Sequence, residues 1–164
     1  MPNWCFNEAV LFNQDSTKID ALVEELEKEN PEPFNHLRPR PEEKNEEWYS
    51  WNIEKWGTKW DVNIEDYTRV DDNTIQLFFD SAWSPPIELY TYLEHEGWDV
   101  SAQYSEEGMQ FVGSYSDLEN DYYEYDFSEE DWREHIPEEL IIFGNLDDGY
   151  EWYKENLEDE EQIH

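Results

Sequence analysis

Thr68-Arg69-Val70-Asp71-Asp72-Asn73-Thr74-Ile75-Gln76-Leu77-Phe78-Phe79-Asp80-Ser81-Ala82-Trp83 is the stretch that decides the fold. Two extended runs, Thr68 to Val70 and Thr74 to Trp83, flank Asp71-Asp72-Asn73, whose short polar side chains favour a turn. The stretch reads as a pair of antiparallel strands. Directly after it, Pro85-Pro86 opens a helix, because a proline in a first turn has no hydrogen bond to lose. Ile87, Tyr90 and Leu93 share one face of that helix, and Gly97 stops it. Trp98 to Tyr104 and Met109 to Tyr115 then flank Glu106-Glu107-Gly108 as a second hairpin. Upstream, Asn3 to Phe12 reads as a first strand. Gln14-Asp15-Ser16 offers helix caps, and Ile19, Leu22, Val23 and Leu26 recur at helical spacing until Asn30-Pro31. The order is strand, helix, strand, strand, helix, strand, strand. That is a ferredoxin-like βαββαβ plan with one added strand, an α+β sandwich.

Between the first helix and the hairpin, Pro31, Pro33, Pro39 and Pro41 predict a loop. A short helix over Glu46 to Lys55 follows, and Trp60-Asp61-Val62 begins an extended segment. Beyond Ser116 the chain changes character. The pattern predicts a strand over Tyr122 to Phe127, a short helix from Ser128-Glu129-Glu130, a last helix from Leu146 to Leu157 and a frayed acidic tail over Glu158 to Glu161. Residues 1–115 therefore read as a ferredoxin-like domain, and residues 116–164 as an acidic, aromatic-rich extension packed on it.

The chain has 164 residues, the size of one domain. It carries 44 Asp and Glu against 10 Lys and Arg, a net charge of −34. Leu, Ile, Val and Phe number 34, near the level at which a highly charged chain stays disordered. The 20 Trp and Tyr restore enough buried area for a folded core. The composition argues against direct binding of nucleic acid, because phosphate needs clustered Lys and Arg, and attachment to anionic lipid fails for the same reason. No run of 18 apolar residues is present to span a membrane. Met1-Pro2-Asn3-Trp4 has neither the basic nor the apolar part of a leader, and Cys5 is alone, so no intrachain disulfide or thiolate zinc cluster forms. These readings predict a soluble cytoplasmic protein with no metal and no cofactor.

The charge is uneven. The last 50 residues are as negative as the first 114, each net −17, and no Lys or Arg falls between Arg69 and Arg133. Self-repulsion of this size works against a compact state, so the excess asks for a reason. Solubility alone is one reason and salt adaptation another, although Glu (29) exceeds Asp (15) and large aromatics abound, which does not point clearly to salt. The third is a partner with a strongly positive surface, whose usual ligand is DNA or RNA.

Several separated motifs bear on origin: Met1-Pro2-Asn3-Trp4-Cys5 with Asn7, Trp48-Tyr49-x-Trp51-Asn52, Trp56-Gly57-Thr58-Lys59-Trp60-Asp61, Ala82-Trp83-Ser84-Pro85-Pro86, Tyr104-x-Glu106-x-Gly108 and Phe111-x-Gly113. Over about residues 1–115 they resemble the YubB-like proteins of phages and plasmids. The resemblance implies a ferredoxin-like domain and a mobile-element protein acting inside a bacterial cell. It carries over no catalytic residues.

The leading expectation is a binding protein and not an enzyme: an inhibitor that presents nucleic-acid-like charge to a basic, nucleic-acid-binding host defence protein of the restriction or CRISPR type. The expected contact residues are Asp117, Glu119, Asp121, Glu124, Asp126, Glu129, Glu130 and Asp131, with Tyr122, Tyr123 and Tyr125 interleaved as apolar anchors. Alternation places Glu124 and Asp126 opposite Tyr123 and Tyr125. Trp48, Trp51, Trp56, Trp60 and Trp83 read first as a core cluster and second as a stacking platform. Cys5 reads as a small buried hydrophobe. The competing readings are a protein-interaction adaptor whose acids serve only solubility, and a small ligand-binding domain. With 44 acids, carboxylate pairs at any spacing arise by chance, so they single out no acid–base site.

Overall fold

The computed structural model describes residues 2–163, with side chains as far as residue 158; Met1 and His164 lie outside the described residues. Strand β1 (Trp4–Asn13) alternates strictly. Cys5, Asn7, Ala9, Leu11 and Asn13 are buried, whereas Trp4, Phe6, Glu8, Val10 and Phe12 point the other way. Successive side chains of a strand leave opposite faces of the sheet, so this one strand belongs to two different surfaces.

Helix α1 (Ser16–Leu26) follows, its first turn held by the Asp15 carboxylate, which accepts from the backbone N–H of Thr17. The proline-rich segment, expected as a loop, contains α2 (Pro33–Leu37). Pro33 occupies its first turn, and the N–H groups of Phe34 and Asn35 donate to the two oxygens of Asp61 at 2.9 Å each. The cap thus comes from 26 and 27 residues away, beyond the reach of a local reading. A 3-10 turn (Glu42–Glu47) leads into α3 (Trp48–Lys55). Trp60 to Val62 pairs in no strand.

Strands β2 (Asp66–Asp71) and β3 (Thr74–Ala82) form the predicted hairpin, and α4 (Ile87–His95) follows the two prolines. Strands β4 (Trp98–Glu106) and β5 (Phe111–Ser116) form the second hairpin. With a last strand, β6 (Glu119–Glu124), the sheet has six strands in the order β2-β3-β1-β4-β5-β6, every neighbouring pair antiparallel, and the architecture is α+β. The sheet thus holds the five strands of the predicted order and the further strand expected beyond Ser116. Strand β6 starts three residues before the predicted Tyr122. Asp117 and Leu118 both take positive φ, 48° and 64°, and make a tight two-residue turn directly after β5. Neither is the glycine that usually announces such a turn, so the turn carries no glycine signal. The Leu118 N–H is held by Glu94 at 2.8 Å.

The helices cover one face of the sheet. Ile19, Leu22 and Leu26 of α1, Phe34 of α2, Trp56, and Leu89, Tyr90 and Leu93 of α4 pack on Ala9, Leu11, Ile75, Leu77, Phe79, Val100 and Ala102. Each such aliphatic side chain, fully buried, contributes roughly 1.5–3 kcal/mol, which offsets the repulsion among carboxylates. The C-terminal segment builds a second cluster from Tyr125, Trp132, Ile136, Leu140, Ile141 and Leu146, seated on Val112 of β5. Its helices are α5 (Glu138–Phe143) and α6 (Leu146–Ile163). The helix expected at Ser128 is replaced by turns, because the Asp126 carboxylate captures both the N–H and the hydroxyl of Ser128, at 2.9 and 2.6 Å. The backbone of α6 runs through the expected frayed tail, most of whose side chains lie outside those described.

Candidate functional site on the open face of the sheet

The face of the sheet turned away from α1–α4 is only partly covered, by the C-terminal cluster. Paired residues in antiparallel strands share a face, so the register fixes what this surface presents. Asp66, Phe78, Glu8, Gln103, Ser114 and Asp121 form one row across it. Asp80, Phe6, Ser105, Val112 and Tyr123 form the next. Thr68, Gln76, Val10, Ser101, Ser116 and Glu119 form a third, and Thr74, Phe12 and Asp99 a fourth. Six acids occupy these positions and no Lys or Arg does; Asp71, paired with Thr74 beyond a shift in register, is a seventh at the margin.

The bases lie elsewhere. Arg69 pairs in register with Ile75, so it projects to the helical side, where it meets Asp20 at 2.6 Å. Arg38 donates to the Lys55 carbonyl and Arg40 to Asn45 and Asn52. Lys28, Lys44 and Lys55 each meet a nearby Glu. Lys59 lies 4.5 Å above the Trp60 ring. In the C-terminal segment, Arg133 meets Glu138 and Asp147, and Lys154 meets Glu151. The helical side is therefore a mixed surface, whereas the strand positions of the open face carry acids alone.

An aromatic ridge crosses this face. Trp4 is 50% exposed and Phe6 41%. Phe6 lies between two nearly parallel rings, Phe78 at 6.5 Å and Phe143 of α5 at 5.6 Å, tilted by 17° and 18°. Trp4 contacts Trp60 at 6.3 Å. A cavity of about 510 Å³ opens on each side of Trp4 and Phe6. The first is walled by Glu106, Glu107 and the Phe143–Asn145 corner, the second by Asp61, Glu65, Asp66, Phe78 and Asp80.

Not every carboxylate here is free to act. Glu106 is buried and accepts the N–H groups of Gly108 and Met109, so its charge holds the β4–β5 turn. Burial pushes the Asp61 carboxyl up to about 6, against the pull of three backbone N–H donors from Asn35, Phe34 and Val62. Burial, and then the neighbouring Glu106, push the Cys5 thiol up to about 12, so it stays protonated at neutral pH. Asn7, wholly buried, ties β1 to β3 by donating to the Ser81 hydroxyl at 2.9 Å. Among the described residues, no group of three or more His, Cys, Asp or Glu is placed to hold a metal ion. No helix among them is long and apolar enough to cross a membrane.

The residues expected to make contact are not gathered on one surface. Glu119 and Asp121 point outward from β6 on the open face. Glu124 and Tyr122 point the opposite way, and the Tyr122 ring lies 5.1 Å from Phe111. Asp117 sits in the hairpin turn. Tyr123 is half-buried against the C-terminal cluster and Tyr125 is buried within it. Asp126 caps the turn at Ser128, and Glu129, Glu130 and Asp131 are exposed in the turns that follow. The tryptophans also separate. Trp56 is in the main core with Trp51 edge-on at 5.5 Å, whereas Trp48, Trp60 and Trp83 are exposed, and Trp48 and Trp60 are linked through the Tyr49 ring and Lys59. The residues that the sequence reading missed are Trp4, Phe6, Glu8, Asp66, Asp80 and Asp99. The signal was present in Trp4-Cys5-Phe6-Asn7-Glu8-Ala9, where apolar residues occupy both parities of one strand and so demand cover on both faces. No protein-family model, curated protein or solved structure matches this chain.

Proposed function

We propose that this protein is a non-enzymatic acidic decoy, which binds a basic, nucleic-acid-binding protein in place of its nucleic acid. The observation that carries this reading is the segregation of charge: six outward acids and no base at the strand positions of the open sheet face, with the cations placed elsewhere. A strand of nine residues is about 30 Å long, a length over which one nucleic-acid strand carries roughly nine charges and a duplex about twice that. Six acids interleaved with Trp4, Phe6 and Phe78 come nearer to a single strand, in which charge and flat rings alternate. The ferredoxin-like reading of the first four strands is supported by their order β2-β3-β1-β4, with α1 and α4 on one side. In keeping with the resemblance to YubB-like proteins, the target would be a bacterial defence complex of the restriction or CRISPR type, met in the cytoplasm.

The experiment is displacement. Labelled single-stranded DNA bound to a CRISPR effector is challenged with the protein at rising salt. Association is steered by the field, so inhibition weakens as salt increases. Reversing Glu8, Asp66, Asp80, Glu119 and Asp121 to Lys should weaken inhibition at least tenfold while the fold survives. Reversing five acids of the helical side, such as Glu24 and Glu43, should change it little. If the two sets lose inhibition equally, the open face is not the contact.

A further inference from the structure

The cavity beside β2 combines two chemistries. Trp4, Phe6 and Phe78 supply ring surface, and Asp66 and Asp80 supply carboxylates. Two other acids of the same cavity are already occupied: Asp61 by the backbone donors of α2, and Glu65 by the Asn63 amide at 3.1 Å. Asp66 and Asp80 accept no hydrogen bond and meet no cation among the described residues, and both are exposed. An aromatic wall with free carboxylates attracts a cation and repels phosphate. A second copy of this chain would bring a further net charge of −34 to the contact, so self-association there is opposed.

Lysine and arginine differ as occupants. An ammonium is a compact, strongly hydrated charge. A guanidinium is planar, weakly hydrated, stacks on rings and pairs with carboxylates through parallel N–H donors. The chain itself places Arg38 4.3 Å above the Tyr92 ring, the same pairing on its other side. We infer that the cavity formed by Trp4, Phe6, Phe78, Asp66 and Asp80 receives an arginine side chain of the partner, stacked on the ring surface and bound by the two aspartates. This inference rests on the decoy reading for its cationic partner, and it adds that the partner is recognised through arginine and not through charge alone.

The test uses the full chain and two capped peptides of equal charge, Gly-Arg-Gly-Arg-Gly and Gly-Lys-Gly-Lys-Gly. Affinity is measured by calorimetry, and the Trp4 indole N–H is followed by NMR. The arginine peptide should bind at least fivefold more tightly and shift that indole signal. Asp66→Asn with Asp80→Asn should remove the preference, and Glu129→Gln with Glu130→Gln should leave it intact. Trp4→Leu, at a half-exposed site, should reduce it without changing the melting temperature by more than a few degrees. Equal affinity for the two peptides, or a preference that survives loss of both aspartates, overturns the inference. No nucleic-acid-binding protein is present, so the result is separate from the displacement assay. Displacement without arginine preference removes only the subsite, and arginine preference without displacement removes only the decoy.

Discussion

Replacing Gly113 by alanine should loosen the strand pair that carries Glu119 and Asp121. Gly113 sits in β5 between Tyr104 of β4 and Tyr122 of β6. The Tyr104 ring lies directly over it, so an added Cβ would overlap that ring and stand 2.6 Å from the carbonyl oxygen of Asp121. The ring has nowhere to go: it is buried, packs edge-on against Phe111 at 6.0 Å, and its hydroxyl donates to Asn120 at 2.6 Å. Overpacking of this kind costs about 1–3 kcal/mol, and a clash with both ring and backbone argues for the upper end. For a chain of this length about 3 kcal/mol lowers the melting temperature by roughly 6–12 °C. Gly97→Ala is the comparison. Gly97 has φ of 98°, but nothing lies within 4 Å of its missing Cβ, so only the backbone term applies. That term is about 1–2 kcal/mol. Thermal unfolding followed by circular dichroism measures both. A Gly113→Ala protein that melts as high as Gly97→Ala would refute the account of how β5 and β6 are locked.

Two further outcomes follow from titration. Asp61 has a folded value of about 6 against 3.8 for a free Asp, so its protonated form is favoured by folding and its contribution is complete below the lower value and lost as pH rises through the higher. The stability difference between the wild type and Asp61→Asn should therefore change between about pH 4 and 7 in chemical denaturation and be flat above it; a constant difference across that window would show that burial does not govern this carboxyl. Cys5 is fully buried with its thiol held near 12, so at pH 8 a disulfide reagent should label it at least 100-fold faster in urea than in the native protein, and equal rates would contradict its place in the sheet.

The central strands and the helices flanking them were legible because each carries its own local signals. Alternation marks β1, the Asp71-Asp72-Asn73 turn joins β2 to β3, and Pro85-Pro86 opens α4. What failed locally was decided at a distance. Helix α2 exists because Asp61 caps it from another segment, and β6 is shifted because Asp117 and Leu118 accept a backbone conformation that their side chains do not advertise. The candidate site was half legible. Net charge identified the character of the surface, but not its location. The C-terminal acids drew attention by their number, yet Asp126 among them holds a turn, and the neighbouring Tyr125 fills a core. The acids of the open face come from five strands spread over more than a hundred residues, and only the pairing register brings them into rows.

The contact of Phe143 with Phe6 gives the C-terminal segment a second role. By leaning α5 on the ridge, the segment fences one margin of an otherwise bare shelf and leaves the β2 side as the way in. A chain cut after Asp126 would keep most of its main core but uncover Val112 and a full flank of Phe6. Such a fragment would exchange a guarded anionic shelf for a sticky one, and indiscriminate association, well before unfolding, would be the first sign of the loss.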